Sequence, residues 1–176
     1  LGGSDEYKGK LYKARSTFVT QYLDDLIPEW CRRNDLRIGG RELIDADPEG
    51  HRAGKFGLIW LDGVIHKLPR DRFVRTMNLM YRLLAPGGWL RIKTPSTDGR
   101  GAFQDPEAVS FWNQNAFLYF TDRRLSETIS DVDCRFQAFR VWTAASTEFE
   151  SLLDIRQARG DLIAIKTQRQ PGPVRI

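Results

Sequence analysis

Between residues 94 and 117 the chain reads TPSTDGRGAFQDPEAVSFWNQNAF. Asp98, Arg100, Gln104, Asp105, Asn113 and Asn115 supply charged or amide groups there, and Phe103, Phe111 and Trp112 supply aromatic bulk. No helical or strand period runs through the stretch, so its polar groups are not the wet face of one regular element. The mixture suits recognition of a small polar molecule: carboxylates and amides fix hydroxyl groups in direction, and rings exclude water. Hydroxyl-rich ligands such as sugars are the preferred class. The same composition suits a loop that satisfies its own backbone, as a long loop in a compact domain must, and the two roles are compatible.

The elements around this stretch fix where it must lie. The run FGLIWLD, residues 56–62, is almost wholly apolar and of strand length, the pattern of a strand buried on both faces. In residues 69–84, Phe73, Met77, Met80, Tyr81 and Leu84 recur on one helical face, and APGG at 85–88 stops the helix. WLRIKTP, residues 89–95, reads as the next strand. Strand, helix, Gly-rich turn and strand make a βαβ unit with parallel strands and a right-handed crossover. Upstream, residues 16–33 carry apolar positions at three- and four-residue steps, an amphipathic helix with Pro28 near its end, and RELIDAD at 41–47 reads as a short strand ending in acids. Downstream, residues 134–143 and 160–168 read as two closing strands that pair antiparallel at a sheet edge. The fold class is therefore α/β, a mostly parallel sheet with an antiparallel edge and helices on both faces. In open parallel sheets ligands sit outside the carboxyl ends of the strands. Those ends here are Asp45 and Asp47, Asp62 with Gly63, and Thr94 onward.

The totals narrow the function classes. A chain of 176 residues, 41% hydrophobic and 28% charged, suits one domain, residues 1–176, with residues 95–120 as a loop or lid. No run approaches the roughly 18 apolar residues of a membrane span, so the protein reads as soluble. The net charge of +4 is spread along the chain, with Arg pairs separated by acids, so a nucleic-acid footprint is only weakly signalled. Cys31 and Cys134 have no metal-ligand spacing, no metal-ligating cluster is evident, and a reducing, cytoplasmic setting follows. His51 lies in a polar turn without a signal. The sequence opens on Leu1-Gly2-Gly3 with no secretory signal pattern, which suits the trimmed end of a longer chain.

The succession DADPEG, FGLIWLDGVIHKLPRDRF, MYRLLAPGGWLRIKTPSTDGRGAFQDP and FWNQNAFLYFTD resembles class I S-adenosylmethionine-dependent methyltransferases, with a Rossmann-like sheet. More narrowly it resembles a bacterial small-molecule branch that follows its fifth strand with a Ser/Thr-Asp-Gly-Arg-Gly-Ala-Phe/Trp-Gln-Asp-Pro segment. The resemblance implies S-adenosylmethionine as cofactor and methyl transfer to a small acceptor, with O-methylation of a sugar or natural product favoured. It aligns Asp47 with the acid that meets the adenine amine, with Asp45 as a second candidate. Asp62 falls at the methionine part, and Gly2 and Gly3 at the end of the Gly-rich turn after the first strand. The segment from 94 onward becomes an acceptor-binding lid, with Asp105 or His66 as the base. The chain departs from the pattern twice. It has Ile65-His66-Lys67 where the family reads Leu-Glu-His, and Gln104-Asp105-Pro106-Glu107-Ala108 where relatives have Gln-Asp-Pro-Thr-His. His66 either substitutes from one place earlier or is an exposed turn residue. These departures keep open an alternative, a methyltransferase-fold protein without transfer activity that serves as a partner subunit, binding module or repurposed enzyme. A homo-oligomer is compatible with either. Nucleic-acid methylation is disfavoured, since no Asn/Asp-Pro-Pro-Tyr/Trp motif is present.

Overall fold

The computed structural model describes residues 35–38 and 53–167. Gly2, Gly3, Asp45, Asp47, His51, the helix expected over 16–33 and the strand expected over 41–47 lie outside the described residues.

Five strands form a single sheet in the order β1-β2-β3-β5-β4. They are β1 (Asp35–Ile38), β2 (Phe56–Asp62), β3 (Leu84–Pro95), β4 (Phe136–Ala144) and β5 (Gln157–Ala164). β1 pairs parallel with β2, and β2 parallel with β3, while β5 lies antiparallel to both β3 and β4. This is an α/β sheet whose described pairings divide evenly between parallel and antiparallel. β1 was not expected: its sequence, Asp-Leu-Arg-Ile, is too short and too charged to show a strand period.

The crossover between β2 and β3 is α1 (Arg70–Leu83), with Pro69 at its N-cap. The phenylalanine and methionine spacing does what its period predicts: Met77, Met80 and Leu83 are buried against Ile59 and Leu61 of β2 and Leu90 and Ile92 of β3. The helix ends because Leu84 turns extended, ψ 141°, ahead of Pro86. The turn predicted at 85–88 is absorbed into β3. Leu84 already pairs with Phe56, and the ladder then skips to Leu58 opposite Trp89. Two glycines make that bulge fit. Gly87 has φ +74°, and a Cβ on Gly88 would stand 2.9 Å from the Ala85 carbonyl oxygen and 3.1 Å from that of Phe56.

Strand alternation sends the other side chains to the opposite face, where Leu58, Trp89, Phe139 and Ile163 form a second, smaller cluster. Beside it a charged pair crosses the sheet. Arg91 of β3 faces Asp161 of β5, donating from Nε to Oδ1 at 2.9 Å, with both side chains buried and the guanidinium 5.5 Å from the Trp60 ring. No described helix is long and apolar enough to cross a membrane.

Candidate functional site

β2 delivers its chain end at Asp62, and Gly63, at φ +66°, turns the backbone while donating to the Lys93 carbonyl at 2.9 Å. A single 3-10 turn, Ile65–Lys67, follows. Ile65 points into the core with no exposure, and His66 is also buried, at 3% exposure. The alternative of an exposed turn histidine is thereby removed. Next to it, on β3, Thr94 is fully buried. Its hydroxyl lies 3.2 Å from His66 Nδ1.

The other nitrogen of the ring reaches across the molecule. His66 Nε2 lies 2.9 Å from Asp105 Oδ2, a contact between residues 39 positions apart. Lys67 Nζ lies 3.0 Å from the same oxygen and 2.8 Å from Glu107 Oε2. Asp105 Oδ1 accepts the backbone N–H of Glu107 at 2.9 Å, a local turn that aims the carboxylate back at the 3-10 turn. The backbone adds two more ties: Val109 and Ser110 N–H both donate to the His66 carbonyl, at 2.9 and 3.0 Å. Side-chain exposure rises outward, from 4% at His66 to 26% at Asp105 and 59% at Glu107.

These donors set the electrostatics. The His66 hydrogen bond, the Glu107 N–H and Lys67 together hold the Asp105 carboxyl well below the usual carboxylate range. Glu107 and then Asp105 raise Lys67 in turn. A depressed folded value means that the Asp105 contribution to stability is fully present above the ordinary value of about 3.9. It is lost as pH falls through the lowered one. Urea midpoints taken between about pH 2 and 6 should therefore fall more steeply for wild type than for Asp105→Asn. Parallel curves would show that these donors do not hold the carboxylate.

The remaining residues of the loop divide into two groups. Asp98 is engaged toward β4: its Oδ2 accepts from Ser96 Oγ and from Thr143 Oγ1, both at 3.0 Å. Gly99 and Gly101 lie on the turn before β5. Cβ atoms there would stand 2.4 Å from the Asp154 carbonyl oxygen and 3.0 Å from that of Arg156, so backbone packs directly on backbone. Arg100 is tied by its own N–H to the Asp154 carbonyl at 2.8 Å, and its side chain is exposed. Gln104 and Asn115 are exposed, and the Asn113 side chain accepts the Asn115 N–H at 3.0 Å, capping the 3-10 segment Gln114–Phe120.

Trp112 departs from its expected place in the ligand-facing set. It is 4% exposed, lies edge-on to Phe73 at 5.8 Å, and donates from Nε1 to Ser110 Oγ. It is a core residue because the chain at 96–112 folds back on itself, bridging Ser96 to Trp112. Within residues 94–117 the exposed aromatics are Phe103 and Phe111, whose ring centroids are 5.4 Å apart. Asp62 stands at the strand ends, its Oδ1 3.3 Å from Lys93 Nζ.

Sequence reasoning missed Thr94, Lys67 and Glu107. The signals were present: a hydroxyl inside a buried strand demands a partner, and Lys67 and Glu107 flank the two residues already singled out. Burial pushes the Cys134 thiol up to about 12, away from nucleophilic use. Among the described residues no group of three or more His, Cys, Asp or Glu side chains is placed to hold a metal ion.

No family model and no curated protein matches the sequence. Solved structures do show similarity. A 16S rRNA (adenine(1408)-N(1))-methyltransferase from Catenulisporales acidiphilia is 13% identical over 72% of this chain and 60% of its own, with a TM-score of 0.45. The 1,6-didemethyltoxoflavin-N1-methyltransferase of Burkholderia thailandensis is 15% identical over 65% of this chain and 46% of its own, with a TM-score of 0.42. A SAM-dependent methyltransferase from Archaeoglobus fulgidus is 9% identical over 77% of this chain and 79% of its own, with a TM-score of 0.43. The chain thus spans less than two thirds of the length of the first two.

Proposed function

We propose that this chain acts as an S-adenosylmethionine-dependent methyltransferase on a small, hydroxyl-bearing acceptor such as a sugar or natural product. Residues 95–120 would form the acceptor-side lid. The observation that carries this reading is the partly exposed Asp105 carboxylate, fixed by His66, Lys67 and the Glu107 N–H just beyond the ends of β2 and β3. That is where the resemblance puts the acceptor and where open α/β sheets bind ligands.

Asp62 fits the amino-acid part of the cofactor. It is a carboxylate at a strand end, beside a glycine whose positive φ turns the chain tightly there. Asp45, Asp47, Gly2 and Gly3 remain candidates for the rest of that site on sequence alone. Bound S-adenosylmethionine supplies an electrophilic methyl group. The work left to this chain is to orient the acceptor oxygen and take its proton. Asp105, partly exposed beyond the strand ends, would do both. His66 stands behind it as its hydrogen-bonding support, so of the two base candidates the carboxylate is favoured. A carboxylate held this low is a weak base. It suits an oxygen that gives up its proton late, after bonding to carbon has begun and made that proton acidic. Phe103 and Phe111 supply apolar surface for the remainder of the acceptor.

One observation favours the alternative of a degenerate, binding-only protein: both His66 nitrogens and both Asp105 oxygens already have partners within the chain. Calorimetric titration with S-adenosylmethionine and S-adenosylhomocysteine separates the two readings. Micromolar binding, weakened about tenfold or more in Asp47→Ala through loss of a charge-assisted hydrogen bond, supports the enzyme and justifies an acceptor screen. Absence of binding by the folded, full-length protein leaves the binding module.

A further inference from the structure

The Asp105 carboxylate is kept ionised by its donors and is then purely an acceptor. The His66 Nε2 that meets it at 2.9 Å must therefore carry a hydrogen. A neutral imidazole has one N–H, which leaves a lone pair on Nδ1 inside a side chain that is only 3% exposed. Such a lone pair needs a donor. The Thr94 hydroxyl, itself fully buried on β3, faces it at 3.2 Å. When the ring is protonated, Nδ1 becomes a donor and the same hydroxyl can turn to accept. Valine has nearly the same shape and can do neither.

We propose that Thr94 is the positioning residue of this site: its hydroxyl holds His66 as the Nε2–H tautomer and thereby docks residues 105–110 against the 3-10 turn after β2. Both imidazole nitrogens are then committed, so His66 is a post for the loop and, of the two, Asp105 is the one that reaches solvent. Docking follows from the ring because the same residue joins the loop twice, through Nε2 to Asp105 and through its carbonyl to Val109 and Ser110 N–H. A ring that loses its orientation loosens all three ties. The consequence for catalysis rests on the function proposed above; the docking itself needs neither cofactor nor acceptor.

The experiment is nitrogen-15 NMR of the ring, with amide hydrogen exchange, on wild type, Thr94→Val and Thr94→Ser without ligands. The sequence has two histidines, His51 and His66, so a His51→Gln control assigns the signals. In wild type at a pH where the ring is neutral, Nε2 should carry the hydrogen, and Nδ1 should show the shift of a hydrogen-bonded lone pair. In Thr94→Val the Nδ1 signal should move to that of an unbonded lone pair, and exchange at Val109 and Ser110 should quicken about tenfold, as for one lost hydrogen bond. Thr94→Ser should restore both. A hydrogen found on Nδ1 in wild type overturns the proposal, and this holds even if the valine variant fails to fold. Unchanged ring shifts and amide protection in a folded Thr94→Val overturn it as well. Either result leaves the cofactor titration, and the reading it tests, unaffected.

Discussion

Replacing Asp161 by Ala should lower stability by about 3 to 5 kcal/mol, the usual cost of leaving one charge of a buried pair without its partner. Asp161 is 1% exposed and Arg91 7%, so water has little access to the place the carboxylate leaves. Burial raises the Asp161 carboxyl, and Arg91, ahead of Arg140 and Arg159, pulls it back toward the charged form. Urea denaturation should show a lower midpoint at an unchanged slope. Replacing both residues together, Arg91→Met with Asp161→Leu, should recover most of the loss, because the desolvation cost leaves with the charges. A single-variant loss below about 1 kcal/mol would mean that the pair behaves like a surface contact.

Phe117→Ala should cost a similar amount, about 3 to 5 kcal/mol, by removing a wholly buried ring and leaving a cavity. The ring sits over β5 at Gly160, where an added Cβ would meet three of its atoms at 3.2 Å. Gly160→Ala should therefore be destabilising in wild type and close to neutral in the Phe117→Ala background. A double-mutant cycle reads this coupling directly. Additive effects would show that the ring moves aside freely. Phe117 also closes the segment 96–117, so the cavity should loosen the loop along with the core.

The parts legible in sequence were those whose burial leaves a period. The β2 run and the α1 stripe of Met77, Met80 and Leu83 follow from alternation and the helical repeat, and both packed as expected. The two closing strands were also legible, but β5 begins at Gln157 instead of 160, because its pairing with β3 continues as far as Pro95 opposite Gln157. That extension depends on a partner distant in sequence, which no local pattern reports. His66 and Asp105 were each legible by type and position, whereas their contact, across 39 residues, was not. Asn78 shows the same limit: inside α1 it looks like a solvated helix residue. Its side chain instead donates to the Asp131 carbonyl and accepts the N–H groups of Asp133 and Cys134, leading the chain into β4. The burial of Trp112 was not legible, because an aromatic among polar residues reads alike whether it faces a ligand or a core.

The sheet order carries a consequence for synthesis. β5 is the last of the described strands, yet it is inserted between β3 and β4, and β4 pairs with no other described strand. A nascent chain that has emerged only through β4 has one open edge on β3 and an unpaired β4, with the 96–117 segment lacking the Asp154–Arg156 backbone on which its glycines rest. Half of the described strand pairings thus wait for β5. The described sheet is closed by filling an interior position, and intermediates halted before that insertion would present two adhesive edges to neighbouring chains.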